Sequence, residues 1–331
     1  MNRTLIILCS LVVFAAGASR AETITVATYN VQLFDRHFLA HHLTGRGMPD
    51  AMSKELRQEP HVKELIDDER ETNDRLNWIV ASVIQDRHFN PDIICLEECC
   101  DQTDLTYFNH RWLDDGYATA IVFPTNTTRQ QNVAMMLKRG FTVEEKRDQY
   151  YLEKDPVPNA RGDRLFARGP SFLKVKSPGG YEFWVGVTHQ KSKRVDPPLN
   201  AVGVPVKIAP DEREKLEIEA GKWRLREAAR THQIMMDLAA AGPKDVMLLG
   251  DMNDELGADD IERKAGGDAV AMLVGPPEDG YVLATKPLAD ADQFSFGGYW
   301  QTRFRSLIDH IIVSPSMKGE IETVAIFKDG L

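Results

Sequence analysis

Short apolar segments that end in polar residues recur along the chain, and they restrict its fold more than any other feature. Segments of this length, bounded by turn residues or alternating with period two, predict buried β-strands. They are residues 24–30, 93–96, 171–176, 181–188, 246–249 and 307–313. Polar side chains at the ends of such strands are well placed to converge, because the sheet holds them rigidly.

Helical patterns lie between the predicted strands. Residues 73–87 carry apolar side chains at helical spacing, and residues 212–240 form a long charged pattern that stops at Gly242-Pro243. Helices mixed with strands and a hairpin turn at 177–180 predict an α/β (α+β) fold with mixed or mainly antiparallel sheets. Residues 36–72 and 195–210 are predicted to be insertions, and no linker divides the chain.

The N-terminus has the pattern of a secretory signal peptide over residues 1–21. A positive start precedes an apolar run too short to span a membrane, and small residues ending at Ala18 or Ala21 offer cleavage sites. This predicts a secreted or periplasmic protein whose mature chain has no transmembrane segment. Three cysteines, Cys95, Cys99 and Cys100, would remain, and their disulfide state stays open.

The formal net charge of −10 excludes a uniformly basic nucleic-acid surface. It does not exclude a nuclease, since a few local Lys and Arg side chains can hold one phosphate chain. Arg129 and Arg164 are candidates for such contacts. With 331 residues, 43% of them hydrophobic, the chain can bury a large core.

The most informative motif is Gly250-Asp251-Met252-Asn253, which follows an apolar strand. In an extended chain, residues two apart point the same way, so Asp251 and Asn253 are expected to face one pocket. The carboxylate can orient or deprotonate a water, and the amide can donate to a developing negative charge. Taken alone, this motif is more typical of a turn, so the interpretation depends on its partners.

Two further strand ends carry the expected partners. Glu97 and Glu98 are adjacent, and strand alternation predicts that only one of them enters the site. A hard cation such as Mg²⁺ needs oxygen ligands but only one or two carboxylates. His189 ends another strand, and Lys191 and Lys193 behind it give a cationic neighbourhood that suits a phosphate.

Five blocks, at residues 27–30, 92–98, 188–192, 250–253 and 307–310, come in an order that resembles the endonuclease/exonuclease/phosphatase (deoxyribonuclease-I-like) family. The resemblance implies a four-layer sandwich of two mixed, mainly antiparallel sheets flanked by helices. It also implies hydrolysis of phosphoesters with Mg²⁺, with Mn²⁺ or Ca²⁺ as alternatives.

The resemblance assigns roles to matching positions. Asn30 and Glu98 would hold the metal, while Glu97 stands where a Gln is more usual. The catalytic positions would be His189, Asp251, Asn253 and Asp309.

The family pattern normally closes with a Ser-Asp-His element after the strand of Asp309, and no such element precedes Leu331. His310 is not expected to replace that His, because neighbours on a strand face opposite sides. We therefore expect residues 22–331 to be one domain that lacks its C-terminal end. A naturally shorter family member with altered chemistry is the alternative.

The favoured function is a secreted, monomeric, metal-dependent nuclease that cleaves phosphodiester bonds in nucleic acid. The alternatives are a sphingomyelinase or phospholipase-type phosphodiesterase, a sugar-phosphate phosphatase and a catalytically impaired binding protein. A lipid substrate would require exposed aromatic residues, for which Phe294, Phe296, Tyr299 and Trp300 are the candidates.

Overall fold

A computed structural model of the chain describes two large mixed sheets and the helices that cover them. The residues it describes are 9–16, 22–31, 74, 77–86, 89–99, 101–127, 131–159, 162–193, 195, 207–291, 295–297 and 305–327. The predicted insertion at 36–72 lies outside them, as do Cys100 and Arg129.

The first sheet has the strand order β16-β1-β2-β3-β5-β4 and the second has β12-β15-β11-β10-β9-β6. The strands of the first sheet are β1 (Cys9–Ala16), β2 (Glu22–Asn30), β3 (Ile93–Cys99), β4 (Tyr117–Phe123), β5 (Asn132–Lys138) and β16 (Ile321–Phe327). Those of the second are β6 (Thr142–Arg147), β9 (Ser171–Lys176), β10 (Glu182–His189), β11 (Val246–Asp251), β12 (Val282–Leu283) and β15 (Asp309–Val313). Two small ribbons pair β7 (Lys154–Asn159) with β8 (Gly162–Arg164) and β13 (Phe296–Gly297) with β14 (Arg305–Ser306).

The helices begin and end where the sequence offers caps and breakers. Asp101 accepts a hydrogen bond from the backbone N–H of Asp104 and caps the second helix, while the long third helix stops before Gly242-Pro243. They are α1 (residues 77–84), α2 (Gln102–Trp112), α3 (Pro210–Ala241), α4 (Asp260–Ala265), α5 (Ala269–Val274) and α6 (Lys286–Asp290), with 3₁₀ turns at Gln149–Leu152 and Pro315–Glu320. Within the described residues, no helix has both the length and the apolar character needed to cross a membrane.

Three buried clusters define four layers. One lies between the two sheets, a second packs α1 and α2 on the outer face of the first sheet, and a third packs α3 and α5 on the outer face of the second. Four of the five strand pairs in each sheet are antiparallel, and one is parallel. The predicted sandwich of two mixed, mainly antiparallel sheets is confirmed.

The parallel pair of each sheet positions the predicted site residues. β2 and β3 run together and end with Asn30 opposite Glu97, while β10 and β11 end with His189 opposite Asp251. β15 begins at the same edge, with Asp309 opposite Asp251. The carboxyl ends of the parallel strands meet at one edge in each sheet, and the hydrogen bond between Asn30 and Asp251 shows that these two edges lie at the same end of the sandwich.

The strand β1 falls inside the predicted signal peptide. It pairs along its length with β2 and also pairs with β16. Removal of residues 1–21, which stays a prediction, would remove this strand from between its two neighbours.

Candidate active site

Gly250 brings β11 unusually close to β10. Its φ is +147°, and a Cβ on this residue would lie 1.9 Å from the carbonyl oxygen of Thr188. Only glycine tolerates that approach, since the clash is with backbone. The next residue, Asp251, is thereby held beside His189 on one side and Asp309 on the other.

Both carboxylate oxygens of Asp251 accept hydrogen bonds. Oδ2 accepts from Asn30 Nδ2 at 2.9 Å, which joins the two sheets, and Oδ1 accepts from the backbone N–H of Asn253 at 2.7 Å. Burial raises the pKa of Asp251, and these donors together with the charge of Arg168 oppose the rise.

The backbone conformation of Asn253 differs from the prediction. The strand ends at Asp251, and Asn253 has φ +50°, so the expectation of two side chains aligned on an extended chain is wrong. The left-handed turn folds the Asn253 backbone onto Asp251, and its side-chain Nδ2 donates to the carbonyl of Gln190 at 3.0 Å. Asn is among the few residues that adopt this conformation readily.

His189 is 2% exposed and faces two carboxylates. Its Nε2 lies 3.6 Å from Asp251 Oδ2 and 3.9 Å from Glu98 Oε1. Burial lowers the pKa of His189 well below its usual range, and the positive charge of Arg168 lowers it further. The imidazole is therefore neutral near pH 7 and can donate one hydrogen bond through Nε2.

A bulge, rather than simple strand alternation, sets the directions of Glu97 and Glu98. Glu98 has φ +55°, and the pairing of β3 with β5 shifts register between Leu96 and Cys99, so this bulge breaks the alternation. Glu97 is buried, accepts from Thr28 Oγ1 at 2.6 Å, and has its pKa raised well above its usual range by burial and by the charge of Asp309. Glu98 is thus the acid that faces His189, while Glu97 bonds Thr28 on the neighbouring strand.

Asp309 is buried, with 4% of its surface exposed. Its backbone N–H donates to Ser295 Oγ at 3.0 Å. Burial raises its pKa well above the usual range, and the charge of Asp251 adds to the rise. His310 lies on the other face of β15, as predicted, where Nδ1 contacts Thr285 Oγ1 at 2.9 Å and Nε2 contacts the Asp254 carbonyl at 3.1 Å.

The site offers oxygen atoms that fit a hard cation. Among the described residues, no group of three or more His, Cys, Asp or Glu side chains is arranged as a metal centre. Mg²⁺ does not need one, because it binds one or two carboxylates and retains water. Asn30 Oδ1 is buried and has no hydrogen-bond partner among the described residues, which fits a ligand role beside Glu98.

The comparisons agree with this geometry. The model of the Endonuclease/Exonuclease/phosphatase family matches residues 27–320, which include every predicted site residue. The chain belongs to that family. Members of the Endonuclease/Exonuclease/phosphatase family hydrolyse phosphoester bonds and generally depend on divalent metal ions. Among curated proteins, none matches the chain.

Solved structures similar to the chain are distant members or relatives of this family. A mannosyl-6-phosphatase from Bacteroides thetaiotaomicron has 16% identity and a TM-score of 0.42, over 72% of this chain and 76% of that one. The human Nocturnin catalytic domain has 14% identity and a TM-score of 0.44, over 72% and 73%. Staphylococcus aureus beta toxin has 13% identity and a TM-score of 0.41, over 73% and 79%. At this level of similarity they indicate nothing about the substrate of this chain.

Arg168 is a buried cation of the candidate active site that the sequence did not indicate. Its guanidinium donates to the carbonyls of His189 and Gln190 at 3.2 and 2.9 Å and to Gln131 Oε1 at 3.1 Å. An isolated Arg before a predicted strand gives no sequence signal. Arg164, the other predicted phosphate contact, donates to the carbonyl of Leu152, in the 3₁₀ turn just before its hairpin.

Lys193 does not supply the cationic neighbourhood expected beside His189. Its Nζ lies 2.8 Å from Asp254 Oδ1 and 3.4 Å from Asp259 Oδ2, and it also pairs with Glu262. The ammonium group of Lys193 is therefore paired with three carboxylates, and its charge is not available to a phosphate. Arg168 is the cation whose charge acts on Asp251 and His189.

Proposed function

We propose that the chain is an exported, divalent-metal-dependent phosphodiesterase that cleaves nucleic acid. The observation that carries the proposal is the convergence of both sheets on Asp251. Asn30 donates to this carboxylate from the first sheet at 2.9 Å, and His189 Nε2 lies 3.6 Å from it in the second.

Glu98 and Asn30 Oδ1 would hold the metal. When bound, a divalent ion acts as a Lewis acid that stabilises charge on the phosphoryl oxygens and the leaving group. Mg²⁺ is our first choice because an amide oxygen and a carboxylate are hard ligands.

Asp251 is assigned to the attacking water. Two donors hold its oxygens in place and oppose the rise in pKa that burial causes, so the carboxylate is positioned to accept a proton or a hydrogen bond. The neutral imidazole of His189 donates through Nε2 to a phosphoryl oxygen. Asn253 uses one amide N–H on the Gln190 carbonyl, and its second N–H is assigned to the same phosphoryl group.

Nucleic acid is preferred as the substrate because the Thr188-to-Lys193 element resembles that of secreted nucleases and the N-terminus predicts export. The positive charge of the buried Arg168 beside the site suits a phosphoester in general. The side chains of the aromatic residues that a lipid substrate would need, at 294, 296, 299 and 300, lie outside the described part of the structure.

A substrate panel tests the proposal directly. The purified chain is incubated with single- and double-stranded DNA, RNA, sphingomyelin vesicles and a simple phosphomonoester, with Mg²⁺ or with EDTA. We expect Mg²⁺-dependent cleavage of DNA or RNA. Cleavage of sphingomyelin or the monoester alone would establish one of the other phosphoesterase functions. Hydrolysis of none of them would favour a catalytically impaired binding protein.

Asp251→Asn should lower kcat on the active substrate by roughly 10²–10⁴-fold, the range expected for loss of a general base. The isosteric amide should leave the fold intact, as thermal unfolding can check. Asp237→Asn is the matched control, because Asp237 is 60% exposed on α3. Full activity in the Asp251 variant would rule out the assigned mechanism.

Export is tested by expressing the full chain in a bacterial host and sequencing the N-terminus of the protein recovered outside the cytoplasm. We expect a mature chain that begins at Ser19 or Glu22. An uncleaved chain that stays in the cytoplasm would contradict export without affecting the chemistry.

A further inference from the structure

A buried carboxylate in the middle of α3 binds the backbone of two separate segments. Glu227 is 1% exposed, and its Oε1 accepts from the backbone N–H of Ala167 at 2.9 Å. Its Oε2 accepts from the backbone N–H of Lys191 at 2.8 Å. Burying a carboxylate is costly unless its hydrogen bonds are satisfied, and here both oxygens are used.

The two segments that Glu227 joins carry residues of the candidate site. Ala167 precedes Arg168, and Lys191 follows the His189-Gln190 strand end. Arg168 crosses between the same segments, donating to the carbonyls of His189 at 3.2 Å and Gln190 at 2.9 Å. The carboxylate and the guanidinium therefore both fasten the two segments together.

The helix also holds Lys191 through a second residue. Arg224, one turn before Glu227, donates from Nη1 to the Lys191 carbonyl at 3.3 Å and from Nε to Asp254 Oδ2 at 3.3 Å. Both backbone polar groups of Lys191 are thus bound by α3, and the residue that follows Asn253 is bound by it as well.

We propose that Glu227 is a positioning residue of this site, which sets where Arg168 and His189 stand relative to Asp251. The proposal rests on the proposed function. Burial raises the pKa of Glu227, and the two N–H donors and Arg168 oppose the rise. Catalytic geometry is sensitive to such support, since a displacement of about 1 Å can cost about 100-fold in rate.

Glu227→Gln tests the proposal with little change in volume. The amide oxygen can accept from one backbone N–H, but the NH₂ group then faces the other N–H, and one buried hydrogen bond is lost. We expect kcat to fall by roughly 10–100-fold, with a much smaller change in KM. Glu227→Asp keeps the charge but is too short to span both donors, so it should not restore kcat.

Two variants on the same helix serve as controls. Glu219→Gln changes an exposed acid that pairs with Lys222, and it should leave kcat and melting temperature unchanged. Thr231→Val removes a buried hydroxyl whose partner among the described residues is the Glu227 carbonyl within the helix, so it should lower the melting temperature while kcat is retained. A Glu227→Gln variant that loses no more kcat than Thr231→Val would overturn the proposal.

Amide hydrogen exchange gives a readout that does not need hydrolysis. In Glu227→Gln, the amides of Ala167 and Lys191 should exchange faster than in the unaltered chain, while those of β11 should not. Unchanged exchange at both amides would overturn the positioning role even if activity fell. If the unaltered chain cleaves no substrate, the proposed function fails and the exchange result alone decides whether Glu227 fixes these segments.

Discussion

The two sheets contribute unequal halves to the candidate site. The half on the second sheet, with His189, Asp251 and Asp309, lies at the ends of three adjacent strands and is buried. The half on the first sheet consists of Asn30, whose amide bonds Asp251, and Glu98 on a left-handed bulge. Among the described residues, charged side chains of α3 bond to segments of the second-sheet half and not to Asn30 or the Glu98 bulge.

From this difference we infer that the second-sheet half carries the proton transfers and the first-sheet half binds the metal. Groups that donate or accept protons must be held in place, because their catalytic value depends on preorganised geometry. Groups that bind a metal can be less constrained, because the ion itself draws its oxygen ligands together. The buried Asn30 Oδ1, which has no partner among the described residues, fits that second role.

The largest effect on metal binding is expected on the first-sheet half. Glu98→Gln should raise the Mg²⁺ concentration for half-maximal activity by roughly 100-fold or more, since losing a residue that only supports a ligand costs about 10–100-fold. Saturating Mg²⁺ should restore much of kcat, whereas in Asp251→Asn it should not. The measurement is a Mg²⁺ titration of initial rates for both variants.

Equal responses of the two variants to Mg²⁺ would contradict the assignment of different roles to the two halves. If Mg²⁺ rescued Asp251→Asn as well, Asp251 would have to be counted among the metal ligands. Glu145→Gln is a suitable control, since this acid is 39% exposed on β6 and pairs with Arg147.

A smaller effect is expected behind the second-sheet half, at His310. Burial lowers the pKa of His310 from 6.5 to about 4. Between these values the unfolded chain binds a proton that the folded chain does not, so stability falls as the pH falls from 6.5 towards 4. At about 1.4 kcal/mol per pKa unit, the full loss is about 3 kcal/mol.

His310→Gln can still donate to the Asp254 carbonyl and accept from Thr285, but it does not titrate. Urea unfolding at pH 7 and pH 4 should therefore show a fall in unfolding free energy that is smaller in the variant, by about 3 kcal/mol. The same fall in both proteins would show that His310 is not a buried neutral support of this half.

The sequence predicted the strand ends and therefore most of the site. Apolar periodicity located β2, β3, β10, β11 and β15 within a few residues. It did not predict the left-handed turns at Glu98 and Asn253, because these depend on how neighbouring strands pair. Nor did it find Glu227, whose partners lie 60 and 36 residues away and become neighbours only when α3 packs on the second sheet.

The smallest effect on activity is expected at Glu97, a buried acid of the first sheet. Glu97 Oε1 accepts from Thr28, and Oε2 is buried with no hydrogen-bond partner among the described residues. Burial raises its pKa well above the usual range, so the folded chain keeps a proton that the unfolded chain releases. Its contribution to stability is therefore present at acid pH and is lost as the pH rises towards the folded pKa.

Glu97→Gln should remove that pH dependence at little cost to activity. The amide oxygen can accept from Thr28 as the carboxyl does, and the NH₂ group takes the place of the buried, protonated oxygen. We expect kcat within a few-fold of the unaltered chain and, at pH 8, an unfolding free energy at least as high. Urea unfolding at pH 5 and pH 8 measures this. A large loss of kcat would instead mean that the Glu97 carboxyl acts on the substrate or the metal, and the first-sheet half would then contain a second functional acid.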